Sequence, residues 1–243
     1  MKKMVLILCL AFGLASAEEI MVLAAASLKF VLEDIKAEFL KDRKGDKIEV
    51  SYIASGKAYN QIINGSPAHL FIAADTEYAQ KLYDEKKTSD KPTNYVTGKL
   101  VLASYDKNLK IDSLEILKDS KIKKIALPNP KLAPYGVAGE AALQKSALYD
   151  AVKDKIVLGE SIGQAMQYIA TGAAEIGFNA LSMVIKDEKA NYLKVDESLY
   201  EPIAQAMVIT EAGKNSKLAK DFKAYILDAK AQEIFATYGY DKP

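Results

Sequence analysis

Four stretches of this sequence place small or hydroxyl-bearing residues between an extended run and the start of a helix. They are Ala24-Ala25-Ala26-Ser27-Leu28, Ile53-Ala54-Ser55-Gly56-Lys57, Pro134-Tyr135-Gly136 and Gly159-Glu160-Ser161-Ile162. A helix N-terminus presents N–H groups with no intrahelical partner and a partial positive charge. Several such termini meeting in one cleft would hold an anion without any Lys or Arg. Each Ser taken singly has a plainer reading, as a cap on its own helix. Ser161 and Gln164 even have the spacing of a capping box. The number of these turns, and the open backbone at Ala24 to Ala26 and at Gly56, set the anion site beside the cap as an equal reading. The residues alone leave both open.

Other chemistries find little support. One His, one Cys and no Trp exclude most zinc sites and Cys–His nucleophiles. Neither a G-x-x-x-x-G-K-[ST] loop nor a G-x-G-x-x-G turn occurs, so nucleotide cradling has no motif. A Ser nucleophile would need a base, and His69, between Ala68 and Leu70 at the start of an apolar strand, reads as a structural imidazole. Lys57 reads as a solvated helix residue that could draw anions toward the cleft, and Asp75 as a cap for the helix that follows it. With 33 Lys+Arg against 32 Asp+Glu over 243 residues, the near-neutral charge argues against a nucleic-acid or membrane-surface binder.

The elements that position these turns begin after a leader. Lys2 and Lys3, the apolar run Met4 to Leu14 and the small residues Ala15-Ser16-Ala17 have the three-part plan of a cleavable secretory signal, cut near Ala17. The run is too short to span a bilayer. Leu8 before Cys9 argues against lipid attachment, and removing residues 1–17 takes away the only Cys. The remaining chain is expected to be exported and soluble, with no need for a disulfide.

Beyond the leader, strand-like runs alternate with helical spacing: Ile20 to Ala24, then Leu28, Val31, Leu32, Ile35 and Phe39, then Ile48 to Tyr52, a helix from Gly56 to Asn64, Leu70 to Ala73 and a helix over Thr76 to Lys86. This alternation implies an α/β fold with a mostly parallel sheet. A polar stretch then precedes strands at Lys99 to Ser104, Ile125 to Leu127, Ile176 to Phe178, Tyr192 to Val195 and Ile203 to Thr210. Helices are expected from Gly136 and Ser161, and two more, 216–228 and 230–238, close the chain. Two lobes joined by strand crossovers fit this plan, with 18–102 plus 206–243 as lobe 1 and 103–205 as lobe 2.

These residues also resemble a known family. Ala24-Ala-Ala-Ser-Leu28 with its helix, Ser55 before Gln61-Ile62, and Gly65-Ser-Pro-Ala68 followed by Leu70-Phe-Ile-Ala-Ala-Asp75 are similar to segments of the periplasmic molybdate-binding proteins of ABC transporters. Glu233-Ile-Phe235 with Tyr238-Gly239 resembles their last helix. The resemblance implies a hinged, two-lobed binding protein of type II topology, monomeric and not an enzyme. It would close on molybdate or tungstate, need no cofactor, and hand its cargo to an ABC permease in the inner membrane. Sulfate or another oxyanion is the alternative cargo, and a secreted Ser hydrolase the alternative class.

Carried over residue by residue, the resemblance implies oxyanion contacts from Ser27 and Ser55 through hydroxyl and N–H, and from Tyr135 and Ile162 through backbone N–H. The family's Tyr donor falls in Gly177-Phe178-Asn179-Ala180, where this chain has Ala180. Asn179, Ala180 and Lys57 are therefore additional candidates, and the Tyr135 hydroxyl is the expected substitute for the missing phenol, with a bridging water next. His69 stands where the family has Asp.

Overall fold

The computed structural model describes residues 17–243, so the expected leader, Ala17 excepted, and Cys9 lie outside the described residues. The chain runs β1 (Glu19–Ala25), a 3-10 turn (Ala26–Leu28) leading directly into α1 (Lys29–Leu40), β2 (Lys47–Ile53), α2 (Ser55–Ile63), β3 (Leu70–Ile72) and α3 (Glu77–Asp84). Next come β4 (Thr93–Gly98), β5 (Leu100–Ser104), β6 (Ile125–Pro128), α4 (Pro134–Lys145), α5 (Tyr149–Val152) and β7 (Ile156–Gly159). The remainder is α6 (Ile162–Ala170), β8 (Ile176–Ala180), α7 (Leu181–Val184), β9 (Asn191–Lys194), β10 (Ile203–Ile209), α8 (Lys217–Ile226) and α9 (Ala229–Thr237).

Two five-stranded sheets result, ordered β2-β1-β3-β10-β4 and β7-β6-β8-β5-β9. The orders correspond strand for strand. In each sheet one strand is reversed: β10 pairs antiparallel with β3 and β4, and β5 pairs antiparallel with β8 and β9. Each reversed strand is the one that has just entered from the other sheet. The chain leaves the first sheet at Gly98 and starts the second at Leu100; it returns between β9 and Ile203. Lys99 is thus the whole of one passage. The fold is an α/β pair of mixed, mostly parallel sheets flanked by helices.

Periodicity located most of these elements because burial follows it. The expected inward positions Leu28, just before α1, and Val31, Leu32, Ile35 and Phe39 within it are all buried, as are Leu218, Phe222 and Ile226 of α8. The strand β4 was hidden by its polar residues Thr93, Asn94 and Thr97, although Tyr95 and Val96 between them are fully buried. The short β7 escaped because its outer edge is solvated, with Leu158 51 % exposed.

The second lobe's site depends on a close backbone approach. A Cβ added at Gly136, in the first turn of α4, would lie 2.1 Å from the Pro128 carbonyl oxygen at the end of β6. Only glycine lets α4 start that near the strand end. Gly136→Ala should therefore cost about 1–3 kcal/mol, as overpacking against immobile backbone does. A denaturant melt showing parent-like stability would contradict this packing account.

Candidate functional site

The ends of strands β1, β2 and β3 of the first sheet and the starts of α4 and α6 from the second lobe surround a small, tight interlobe cavity of about 10 Å³. Its wall includes Ala25, Ala26 and Ser27, then Ile53, Ala54 and Ser55, then Ala133, Pro134 and Tyr135, and finally Ile162. These are the four turns singled out in the sequence, and the fold brings all four together. Open α/β sheets form such crevices at the carboxyl ends of their strands. No charged side chain lines the cavity among the described residues.

The helix starts here differ from the helix starts elsewhere. The N-cap positions facing the cavity are Ala25, Ala54 and Ala133, and none provides a side-chain cap. By contrast, Ser216 caps α8 and Asp228 caps α9 at their N-termini. Alanine is a poor N-cap, and it leaves the first N–H of each of these helical segments without a side-chain acceptor from its own cap residue. Pro134 at the first position of α4 has no N–H to lose, which makes the Tyr135 N–H the first free donor there. Ser161 does cap α6: its Oγ accepts from Gln164 N–H at 3.2 Å, and Gln164 Oε1 accepts from Glu160 N–H at 2.6 Å. That capping box serves N–H groups on either side of Ile162, whose own N–H has no intrahelical acceptor.

The register decides between the two readings of Ser27 and Ser55. Ser55 is the first residue of α2, one past the N-cap, and its Oγ accepts the Ala74 N–H from the end of β3 at 3.0 Å. That bond fixes the hydroxyl oxygen and leaves its proton to donate. Ser27 lies inside the 3-10 turn, and its Oγ is the buried side-chain polar atom without a hydrogen-bond partner among the described residues. Neither serine caps its helix. A buried hydroxyl without a partner costs about 1–3 kcal/mol, so its presence needs a reason.

Behind Ser27 the backbone is held firmly. Its carbonyl accepts from Ser182 Oγ of α7 at 2.9 Å and lies 3.2 Å from Tyr240 Oη. Gln205 Nε2 donates to Tyr135 Oη at 3.2 Å, and Gln205 Oε1 lies 2.8 Å from Tyr95 Oη. Burial pushes the Tyr240 phenol up to about 12 and holds Tyr135 well above the usual phenol range, so both stay neutral donors.

This network corrects one expectation. The Tyr135 hydroxyl is turned to the strand crossing, where it meets Gln205 and would touch a Cβ at Gly98. It does not stand in for the phenol missing at Ala180. The other additional candidates also lie off the wall. Asn179 is buried and uses its side chain on the Ile162 carbonyl (3.4 Å) and the Ala180 N–H (2.9 Å), so it braces the start of α6 from behind. Ala180 is buried at the end of β8, paired with Leu100. Lys57 is paired with Glu160 at 2.5 Å on the rim. His69 is structural: its Nδ1 accepts the Met21 N–H at 3.1 Å. Gln205, Tyr240 and Ser182 were not found from sequence, because their partners lie 58 or more residues away.

Asp75 follows the cavity residue Ala74, and its Oδ1 caps α3 by accepting Tyr78 N–H at 3.0 Å. Burial raises its carboxyl to about 6 despite that bond. A raised folded-state value means that ionisation burdens the native state. The favourable contribution is complete below pH 4 and disappears as pH rises through about 6. Asp75→Asn keeps the capping oxygen and removes that burden. The variant should match the parent near pH 4 and exceed it by about 2 kcal/mol at pH 7.5 in urea denaturation. A constant difference across that range would show that Asp75 does not titrate there.

The family of bacterial extracellular solute-binding proteins matches residues 20–241. The chain is 41% identical over 230 residues to the molybdate-binding protein ModA of Azotobacter vinelandii, covering 93% of this chain and 91% of the relative. It is 34% identical to ModA of Rhodobacter capsulatus, covering 96% and 93%. The solved periplasmic molybdate-binding protein of Azotobacter vinelandii superposes with a TM-score of 0.86 over 92% of this chain and 99% of that one, at 32% identity. The sulfate-binding protein SubI of Mycobacterium tuberculosis superposes at 0.72 over 93% and 87%, with 14% identity, and so shares the fold.

Proposed function

The chain belongs to the bacterial extracellular solute-binding proteins, and we propose that it is the molybdate-capturing component of an ABC importer. Like its relatives it is a binding protein and not an enzyme. The observation that carries the assignment of the site is the unpartnered Ser27 Oγ in an uncharged cavity ringed by helix N-termini. An oxyanion supplies the acceptor this hydroxyl lacks.

The proposed contacts come from both lobes. Ser27 and Ser55 contribute hydroxyl and N–H groups from the first, and Tyr135 and Ile162 contribute N–H groups from the second. Each helix start adds a fixed positive potential, so a dianion is neutralised by dipoles without a counter-charge. A cage of donors favours an ion that carries no proton of its own, because an O–H would find no acceptor there. Tungstate, with the same shape and charge, belongs to the same cargo class. In this reading the mature chain is a periplasmic monomer, freed of residues 1–17, that delivers to a permease in the inner membrane; its lobes, expected as 18–102 plus 206–243 and 103–205, exchange chain at Lys99 and just ahead of Ile203.

The two serines should separate binding from folding. Ser27→Ala should weaken molybdate binding roughly 10- to 100-fold by calorimetry, the range for one hydrogen bond to a charged acceptor. The stability of the ligand-free protein should be unchanged or higher, because an unsatisfied hydroxyl is removed. Ser55→Ala should weaken binding similarly but also lower stability by about 1–2 kcal/mol, since the buried Ala74 N–H loses its acceptor. Parent-like affinity in both variants would overturn the assignment.

A further inference from the structure

Closure of the cleft uses the same helix starts that face the cavity. The Gly56 N–H donates to the Leu132 carbonyl of the other lobe at 2.9 Å. One residue earlier on the same helix is Ser55, whose N–H and hydroxyl face the cavity. The Tyr78 hydroxyl, at the start of α3, donates to the adjacent Lys131 carbonyl at 3.2 Å. Lys57, one residue past Gly56, meets Glu160 across the rim. So three consecutive residues, 55 to 57, face respectively the cavity, the other lobe's backbone and the other lobe's carboxylate.

The receiving surface is equally close to the second lobe's donors. Lys131 and Leu132 lie four and three residues before Tyr135, and Glu160 lies two before Ile162. The loop that presents the two carbonyls is stiff. Asn129 N–H donates to the Gly159 carbonyl at 2.7 Å, its own carbonyl accepts from Leu132 and Ala133 at 2.9 Å each, and its Oδ1 accepts from Lys131 N–H at 3.0 Å. The loop therefore ties the α4 arm to the α6 arm, and a grip on Lys131 and Leu132 places both the Tyr135 and Ile162 N–H groups. There is no room to spare at the grip. A Cβ at Gly56 would lie 2.6 Å from Tyr78 Oη and 3.1 Å from the Leu132 carbonyl oxygen.

We infer that Gly56 and Tyr78 are positioning residues for cargo retention: they latch the carbonyls of Lys131 and Leu132 so that the second lobe's N–H groups stay on the anion. This rests on the oxyanion-binding reading above and adds to it which contacts set the residence time. The latch engages after the anion has met Ser27 and Ser55, so it governs release and not encounter. Lys57–Glu160 contributes little, because both side chains are largely solvated.

Stopped-flow association and dissociation of molybdate, with small-angle scattering of the full mature chain, tests the inference. Tyr78→Phe keeps the ring and should speed dissociation about 3- to 10-fold, the effect of one net hydrogen bond, with association within about twofold. Gly56→Ala should release faster still and compact less than the parent at saturating molybdate. Within its own lobe the new Cβ meets the far end of the Tyr78 side chain, which can swing aside, and alanine suits a helix better than glycine, so the ligand-free fold should lose no more than about 1 kcal/mol. Parent-like dissociation in both variants, or slower association as the main change, would overturn the latch. A parent chain that binds neither molybdate nor tungstate would instead overturn the functional reading, and the latch with it.

Discussion

First-turn N–H groups are obligatory donors, and burying them without acceptors is costly. This chain gathers several such groups around one cavity and declines to cap them: Ala25, Ala54 and Ala133 stand where Ser, Thr, Asp or Asn would satisfy the helix. The rest of the molecule is arranged to make that arrangement tolerable. The two sheets stack their strand ends against the cavity, and Gly136 lets α4 begin almost on the end of β6. The hydroxyl network of Tyr95, Gln205, Tyr135, Tyr240 and Ser182 holds the backbone behind it. Such preorganisation removes the reorganisation cost that a flexible polar site would incur on binding.

The sheet topology explains why one cavity can draw donors from both halves. Because β5 and β10 each enter the opposite sheet straight after the crossing, the passage at Lys99 is a single residue long. The α4 and α6 starts belong to the half built on the second sheet, while the Ser27 and Ser55 turns belong to the first. Near the crossings lie the fully buried Tyr95 and Gln205, and far from them lie the Gly56 and Tyr78 contacts to Leu132 and Lys131.

The strand–turn–helix spacing in the sequence located the four turns that meet at the cavity, and the family resemblance supplied the proposed cargo. What it left undecided was a matter of one residue: Ser55 is a cap if the helix starts at Gly56 and a ligand-facing residue if it starts at Ser55. Only the hydrogen bond from Ala74, 19 residues away, settles the direction of its hydroxyl. The Tyr135 hydroxyl was misplaced for the same reason. Its partner Gln205 is 70 residues distant, and the space it occupies exists because residue 98 is glycine. The Lys57–Glu160 pair spans 103 residues. Helical periodicity reports which face is buried, but not which distant polar group meets it.

The claim that an oxyanion is held by neutral dipoles is tested most directly by molybdate affinity as a function of ionic strength. With no cationic side chain on the cavity wall, the dissociation constant should change by less than about threefold between roughly 0.05 and 0.5 M sodium chloride, because short contacts to buried dipoles are screened little. A steep, continuous loss of affinity over that range would mean that exposed charge such as Lys57 carries the binding, and would contradict the account.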